Sequence, residues 1–371
     1  MDFQQNEPDA ELASLSRKIL GDRLTPERLR AAESGGDGFD RGLWADLAAA
    51  GVLAAALPES VGGSGLGLLA HCAVLAEIGR TVAPVPYLAS IVLGAEALAR
   101  FGTTDQQQRW AGPAARGELI ATAALAEEDG DDPRTPSASA ERAGSRWRLS
   151  GVKTTVPAAP VAGLMLVPAA APGGVIVFLV DPADPGVTVQ PQQVTGATAG
   201  RVALEAVSLG DDRVLGSPAA GAEITGWLVA HATVGLCALQ YGVAARALEL
   251  TSEYAQSRVQ FGKAIGSFQA VTQRLADAYI DVEAIRLTMW QAAWRLSAGL
   301  PSGTEVATAK FWAADAGHRV AHTAVHVHGG VGIDVDYPLH RYFVAAKHNE
   351  FALGGATAQL RRIGAALASG D

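Results

Sequence analysis

Tyr254-Ala255-Gln256-Ser257-Arg258-Val259-Gln260-Phe261-Gly262-Lys263 runs on to Ile265-Gly266-Ser267-Phe268-Gln269-Ala270 and leads into a long amphipathic stretch. Beyond it, Val271, Leu275, Ala278, Val282, Ile285, Met289, Ala293 and Leu296 recur at three- and four-residue steps, with Trp290 and Trp294 beside them. Such a stripe marks a helix that must pack on other helices, so most of these residues read as core. Arg258 carries a planar fork of donors suited to a pyrophosphate. Taken alone, it would read as a partner in a helix-surface salt bridge.

Proline usage organises the chain around that stretch. Of the 18 prolines, nine lie from Pro133 to Pro191 and none between Pro218 and Pro301. Proline removes a backbone donor and clashes inside helices, so the first region cannot be mainly helical and the second can. Residues 1–118 read as helices broken by loops. Leu12, Leu15 and Ile19 have helical spacing, Ser34–Gly38 is a polar break, and helices are expected near Gly42–Ala50, Leu68–Ile78 and Ile91–Phe101. Residues 119–217 read as strands: Arg146–Leu149, Leu164–Val167, Val175–Val180, Val187–Gln190 and Arg201–Leu204 are short runs between Gly/Pro/Asp turns. Many short strands of this kind suggest a small barrel or sandwich. Residues 218–371 read as a helical bundle. The fold class is therefore α+β: an N-terminal helical domain (1–118), a middle β-barrel or sandwich domain (119–217) and a C-terminal four-helix bundle (218–371).

Composition agrees. The chain has 371 residues, 49% hydrophobic and 18% charged, with net charge −9. A large core is available, and a general nucleic-acid binder, which would need a basic face, is not expected. Cys72 and Cys237 each lie in an apolar run and read as buried thiols, in keeping with a reducing cytoplasm. Met1–Gln5 is polar with no apolar core behind it, so no signal peptide is expected. Gly163–Val180 has no charge, yet Pro168, Pro172 and Gly173-Gly174 break it into two strand-like runs rather than a membrane span.

The quoted stretch resembles the acyl-CoA dehydrogenase signature Y-A-x-x-R-x-Q-F-G-x-x-I-x-x-F-Q across nearly its whole length. His326-Val327-His328-Gly329-Gly330-Val331-Gly332, followed by Tyr337-Pro338-Leu339 and Lys347, resembles the family's Q-x-x-G-G-x-G…Y-P…K block. Leu57-Pro58-Glu59 with Gly62-Gly63 is similar to its N-terminal P-E-x-x-G-G loop. The resemblance implies the family's three-part fold. It also implies that Arg258, Gln260, Phe261, Phe268, His326, Gly329 and Gly330 contact the ADP half of an FAD seated mainly in a neighbouring subunit.

These flavoenzymes remove an α-proton from an acyl-CoA with a carboxylate base while hydride leaves the β-carbon. Aligned without a gap from Lys347, the usual base position falls on Leu353, ahead of Gly354-Gly355. The other position that some members use falls on Ala232, beside Thr233. Neither can accept a proton. Glu350, three residues earlier, is the one alternative base, and a solvated or ion-paired role is the simpler reading for it. The β segment departs from the family too. Leu125-Ala126-Glu127-Glu128-Asp129-Gly130 stands for T-E-P…G-S-D, and Thr155-Val156-Pro157 for the flavin-packing W-I-T after Gly151-Val152-Lys153.

The chain's own flavin-ring seat thus reads as eroded while the part reaching a neighbour's FAD survives. The resemblance is to the smaller, non-catalytic subunit of heteromeric actinobacterial steroid side-chain dehydrogenases. It implies an α2β2 assembly, an acyl-CoA substrate and an electron-transferring flavoprotein as acceptor. A subunit that binds acyl-CoA, or only supports the partner, without touching FAD is the rival. His318, His322 and His326 make an i, i+4 stripe that can bind zinc in other helices. Here they sit on the helix leading into the glycine turn, and no metal is expected.

Overall fold

The computed structural model describes residues 6–35, 38–130, 132–195 and 197–369. Met1–Gln5, and Gly36-Asp37 within the expected polar break, lie outside these residues. Among the described residues there are two compact units: one holds residues 6–27, Leu68–Ala83 and 233–369, the other Arg28–Gly67 and Pro84–Ala232.

The helices are α1 (Glu7–Arg23), α2 (Pro26–Ser34), α3 (Arg41–Ala49), α4 (Leu68–Thr81), α5 (Ala97–Phe101), the short α6 (Thr104–Gln106) and α7 (Gly112–Ala115), then α8 (Gly221–Ser257), α9 (Gln269–Ser297), α10 (Gly303–His328), α11 (Leu339–Phe351) and α12 (Ala356–Ser369). Asn6 caps α1 by accepting the Asp9 amide at 2.8 Å, and Asp40 caps α3 through the Leu43 amide at 2.9 Å. The face α1 buries is Asp9, Leu12, Ala13, Ser16 and Leu20; of the others expected on it, Ile19 is partly covered and Leu15 is 40% exposed. The helix expected at Ile91–Phe101 begins earlier, as a π-helical run Leu88–Glu96 that continues into α5.

In the helical unit, α9 buries Ala278, Val282, Ile285, Met289 and Ala293 of the expected stripe, together with Trp290. Its two ends, Val271, Leu275 and Leu296, are only partly covered. Gly79 of α4 and Gly242 of α8 let the two backbones touch: a Cβ on Gly79 would lie 2.2 Å from the Leu239 carbonyl oxygen, and one on Gly242 2.0 Å from that of Ala76. Bidentate pairs tie α4 to both neighbours, Arg17 of α1 to Glu77 at 2.9 and 2.6 Å and Arg80 to Glu249 of α8 at 2.8 Å twice. Among the described residues one helix, α8, is long and apolar enough to cross a membrane, but 83% of its most apolar window is buried within the protein.

In the other unit, β1 (Ala121–Ala123), β2 (Ser139–Ala143), β3 (Arg146–Pro157), β4 (Leu164–Ala171), β5 (Gly174–Val180), β6 (Val187–Val194) and β7 (Ala197–Leu209) form one seven-stranded curled sheet. The path runs β1-β4-β2-β3-β7-β6, and β5 hangs on β4. The uncharged run Gly163–Val180 is the β4–β5 hairpin, paired from Met165–Val180 to Ala171–Gly174. Register shifts in β3 against β7, after Leu149 and after Lys153, bend the sheet. Trp147 meets Phe178 edge-on at 5.8 Å in a core with Leu149, Met165, Val202 and Leu209. The five expected strands are present and longer. Two more, β1 and β2, escaped sequence reading because one has three residues and the other buries only Ala140.

Candidate functional site

Helix α8 ends at Ser257, and the chain reverses in a tight ribbon, β8 (Val259–Gln260) against β9 (Lys263–Ala264). Phe261 and Gly262 form its tip with φ of 53° and 80°. Positive φ at both central residues suits the strand twist but is strained for phenylalanine. The Phe261 ring is also 92% exposed. Phe268 sits edge-on to it at 6.2 Å, with the Lys263 ammonium 4.4 Å over the Phe268 ring. The Arg258 amide donates to Tyr254 at 2.8 Å, and its carbonyl accepts from Ile265 at 2.8 Å. Its guanidinium is exposed and, among the described residues, bonds to nothing. Gln260 is exposed beside it.

The second element is the end of α10. Gly329 has φ 66° and ψ −144°, a conformation essentially reserved for glycine, and a Cβ built on Gly329 or Gly330 would meet nothing within 4 Å. His326 is exposed one turn earlier. Its neighbour His328 is buried and stacks on Tyr254 of α8 at 4.3 Å, joining the glycine turn to the helix that leads into Arg258. An unpartnered cation, an open glycine turn and the exposed Phe261 ring fit the ADP half of a dinucleotide. Ser252, Gln256, Ser267 and Thr272 line a hollow of about 370 Å³ beside the ribbon.

The ring half does not fit. The Thr155 amide is spent on Gln192 Oε1 at 2.9 Å, Val156 is buried, and the Pro157 carbonyl accepts the Thr122 hydroxyl at 2.6 Å. Glu127 is turned inward onto Lys153 at 2.5 Å and onto the Ala138 and Ser137 amides. Thr155, Val156 and Pro157 offer no aromatic face there.

The turn at Leu353-Gly354 is closed by side-chain hydrogen bonds. Leu353 lies at φ 55° and Gly354 at 91°, with Gln359 Nε2 donating to both carbonyls at 3.2 and 3.0 Å. Buried Lys310 donates to the Asn349 and Glu350 carbonyls at 2.7 and 3.1 Å, closing the end of α11. Leu353 and Ala232 carry no ionisable group, and Ala232 is buried. Glu350 is occupied: Lys347 donates to it at 2.6 Å, and His318 Nδ1 lies 3.2 Å from both its oxygens.

The histidine stripe faces a groove of about 1070 Å³ between α9 and α10, lined by Gln273, Arg274, Asp277, His318, His322 and His326. Burial, with His318 and Lys347 nearby, holds His322 below the usual imidazole range. Among the described residues no group of three or more His, Cys, Asp or Glu is arranged to hold a metal.

Three features escaped the sequence reading: the Glu127–Lys153 pair, Lys310 and the His328 stack. Two had visible signals. Lys153 shares the inward parity of Trp147 and Leu149, and Lys310 sits in the stripe Ala307, Ala314, Gly317, Ala321 of α10. His328 had none, since its partner lies on another helix.

The sequence profile of the acyl-CoA dehydrogenase C-terminal domain matches residues 219–368, and that of the N-terminal domain residues 6–118. The chain is 48% identical to acyl-CoA dehydrogenase FadE27 of Mycobacterium tuberculosis over 99% of both sequences. It is similar to a chain of the ChsE4-ChsE5 complex from the same organism, with TM-score 0.95, 49% identity and 99% of each chain covered. A chain of a variant of the Tcur3481-Tcur3483 steroid ACAD matches with TM-score 0.92 and 42% identity over 98% of each chain. With these matches over its length, the chain belongs to the acyl-CoA dehydrogenase family.

Proposed function

We propose that this chain is the non-catalytic subunit of a heteromeric, FAD-dependent acyl-CoA dehydrogenase. It acts in the cytoplasm in an α2β2 assembly with a second, base-bearing dehydrogenase subunit. The carrying observation is an asymmetry within the one chain: the Arg258 arm and the Gly329-Gly330 turn stand open, while residue 353 is apolar in a turn still held for it. Both solved relatives above carry two-component names, and one is called a steroid enzyme. The substrate is then an acyl-CoA, with a steroid side-chain thioester as the favoured class, and an electron-transferring flavoprotein takes the electrons.

FAD, when bound, supplies the hydride acceptor for α,β-desaturation. This chain's residues bind and orient. Arg258 neutralises the diphosphate, Gly329-Gly330 admits backbone amides to it, and Gln260 and His326 offer hydrogen-bonding groups. Phe261 and Phe268 cover apolar surface. The α-proton goes to the partner's carboxylate.

Flavin content tests the assembly. The chain alone should purify without stoichiometric FAD, and co-expression with its partner should give one yellow complex with about one FAD per heterodimer. In that complex Arg258→Ala should weaken FAD binding roughly 10- to 100-fold, the loss expected for charge-assisted hydrogen bonds. Unchanged binding would instead favour a subunit that never touches the cofactor. Glu350→Gln should leave turnover within about twofold, because Lys347 and His318 hold that carboxylate. Loss of turnover, with a lone chain that binds FAD and oxidises an acyl-CoA, would return catalysis to this chain.

A further inference from the structure

His328 is 4% exposed, and its environment differs from that of the other histidines on α10. Nδ1 donates to the Ala324 carbonyl at 2.8 Å, which leaves Nε2 as the acceptor. That Nε2 is buried with no hydrogen-bond partner among the described residues. The ring stacks on Tyr254 at 4.3 Å and 22°, and Tyr337 lies 5.4 Å away at 57°. Below it, a Cβ on Gly332 would come within 3.0 Å of the His328 Cβ, so the chain after the glycine turn folds tightly beneath this side chain. Tyr254 is one helical turn before Arg258, and its carbonyl accepts the Arg258 amide.

Resting on the function proposed above, we propose that His328 is a positioning residue for the dinucleotide. Its ring locks the Gly329-Gly330 turn to the end of α8, so that the turn and Arg258 meet the diphosphate as one rigid cradle. Two segments that must bind one ligand gain affinity when their relative placement is fixed before binding. Stacking fixes tilt as well as distance, which aliphatic packing would not.

Protonation would undo the arrangement. Burial holds the imidazole below its usual range, opposed only by the Ala324 carbonyl. The groups facing the ring are the phenols of Tyr254 and Tyr337, and Glu253 is the charged group that acts on Tyr337. Among the described residues, no carboxylate pairs with this imidazole. A group whose folded value is depressed resists protonation, so its neutral form dominates at neutral pH. As pH falls, proton uptake puts an unpaired cation in the interface and should loosen the cradle.

The test is FAD dissociation from the co-purified complex, followed by recovery of free-flavin fluorescence, between pH 5 and 8. For His328→Ala the dissociation constant should rise about five- to tenfold at pH 8, the loss expected for an aromatic stack. His328→Phe keeps the stack, so it should stay within about twofold of wild type while losing the acid-side weakening. If His328→Ala holds FAD like wild type, or His328→Phe keeps the acid-side weakening, the positioning role is overturned. Arg258→Ala in the same assay separates the two readings, since failure there removes the nucleotide site itself.

Discussion

Replacing Lys153 with methionine is expected to destabilise the β unit by about 3–5 kcal/mol, the cost of stranding one member of a buried ion pair. Lys153 is fully buried and Glu127 nearly so, 2.5 Å apart. Burial pushes the Glu127 carboxyl up. Hydrogen bonds from Lys153 and from the Ala138 and Ser137 amides outweigh it and hold the group below its ordinary value of 4.5. Without Lys153 the carboxylate loses its counter-charge while the two amides still need an acceptor. Glu127→Gln in the Lys153→Met background should recover part of the loss, because no buried charge is left.

The pH dependence follows from Glu127. A depressed folded value contributes stability that is present above the unfolded value and lost as pH falls through the folded one. Wild type should therefore lose stability below about pH 4.5, and Lys153→Met should show a smaller acid loss. Urea unfolding read by near-ultraviolet circular dichroism reports both. A Lys153→Met protein within about 1 kcal/mol of wild type would mean that the pair contributes little to the sheet.

The second expected effect is at Lys310. Truncation to alanine removes the donor to two carbonyls at the end of α11 and opens a cavity, at a cost of about 3 kcal/mol. Methionine, which keeps the stem's volume, should cost less. Burial draws the Lys310 amine down to about 8 from 10.5 and pushes the Cys237 thiol up to about 12 from 9.0. Above pH 8 the unfolded amine keeps a proton that the folded one releases, so stability rises with pH. Above pH 9 the folded thiol keeps a proton that the unfolded one releases, so stability falls with pH, and the two slopes oppose. Wild type should gain about 1 kcal/mol from pH 8 to 9 and then level off. Lys310→Met should show no gain and a decline above pH 9. A rise of equal size in both proteins would detach it from Lys310.

How Lys310 bears on function is through the turn it closes. Its bonds to Asn349 and Glu350, with those of Gln359 to Leu353 and Gly354, keep in shape the turn that the proposed function reads as the place of a base the chain lacks. Sequence alignment identified the apolar residue, but not that the frame around it persists. Glu350 shows the converse. Its spacing one turn before Leu353 left a catalytic role open, and only the positions of Lys347 and His318 show that the carboxylate is already engaged.

The sequence by itself determined the helix–sheet–helix order, the two strand runs inside the uncharged Gly163–Val180 segment and the apolar character of Leu353 and Ala232. Each is written locally: apolar period sets which element forms, and proline and glycine set where it stops. Tertiary structure alone decided which polar groups go inside. Lys153 meets a carboxylate 26 positions away, Lys310 a carbonyl 39 positions away, and Tyr254 a histidine on another helix. A buried polar group is tolerable only opposite a partner. No local pattern names that partner, because the fold chooses it by bringing distant segments together.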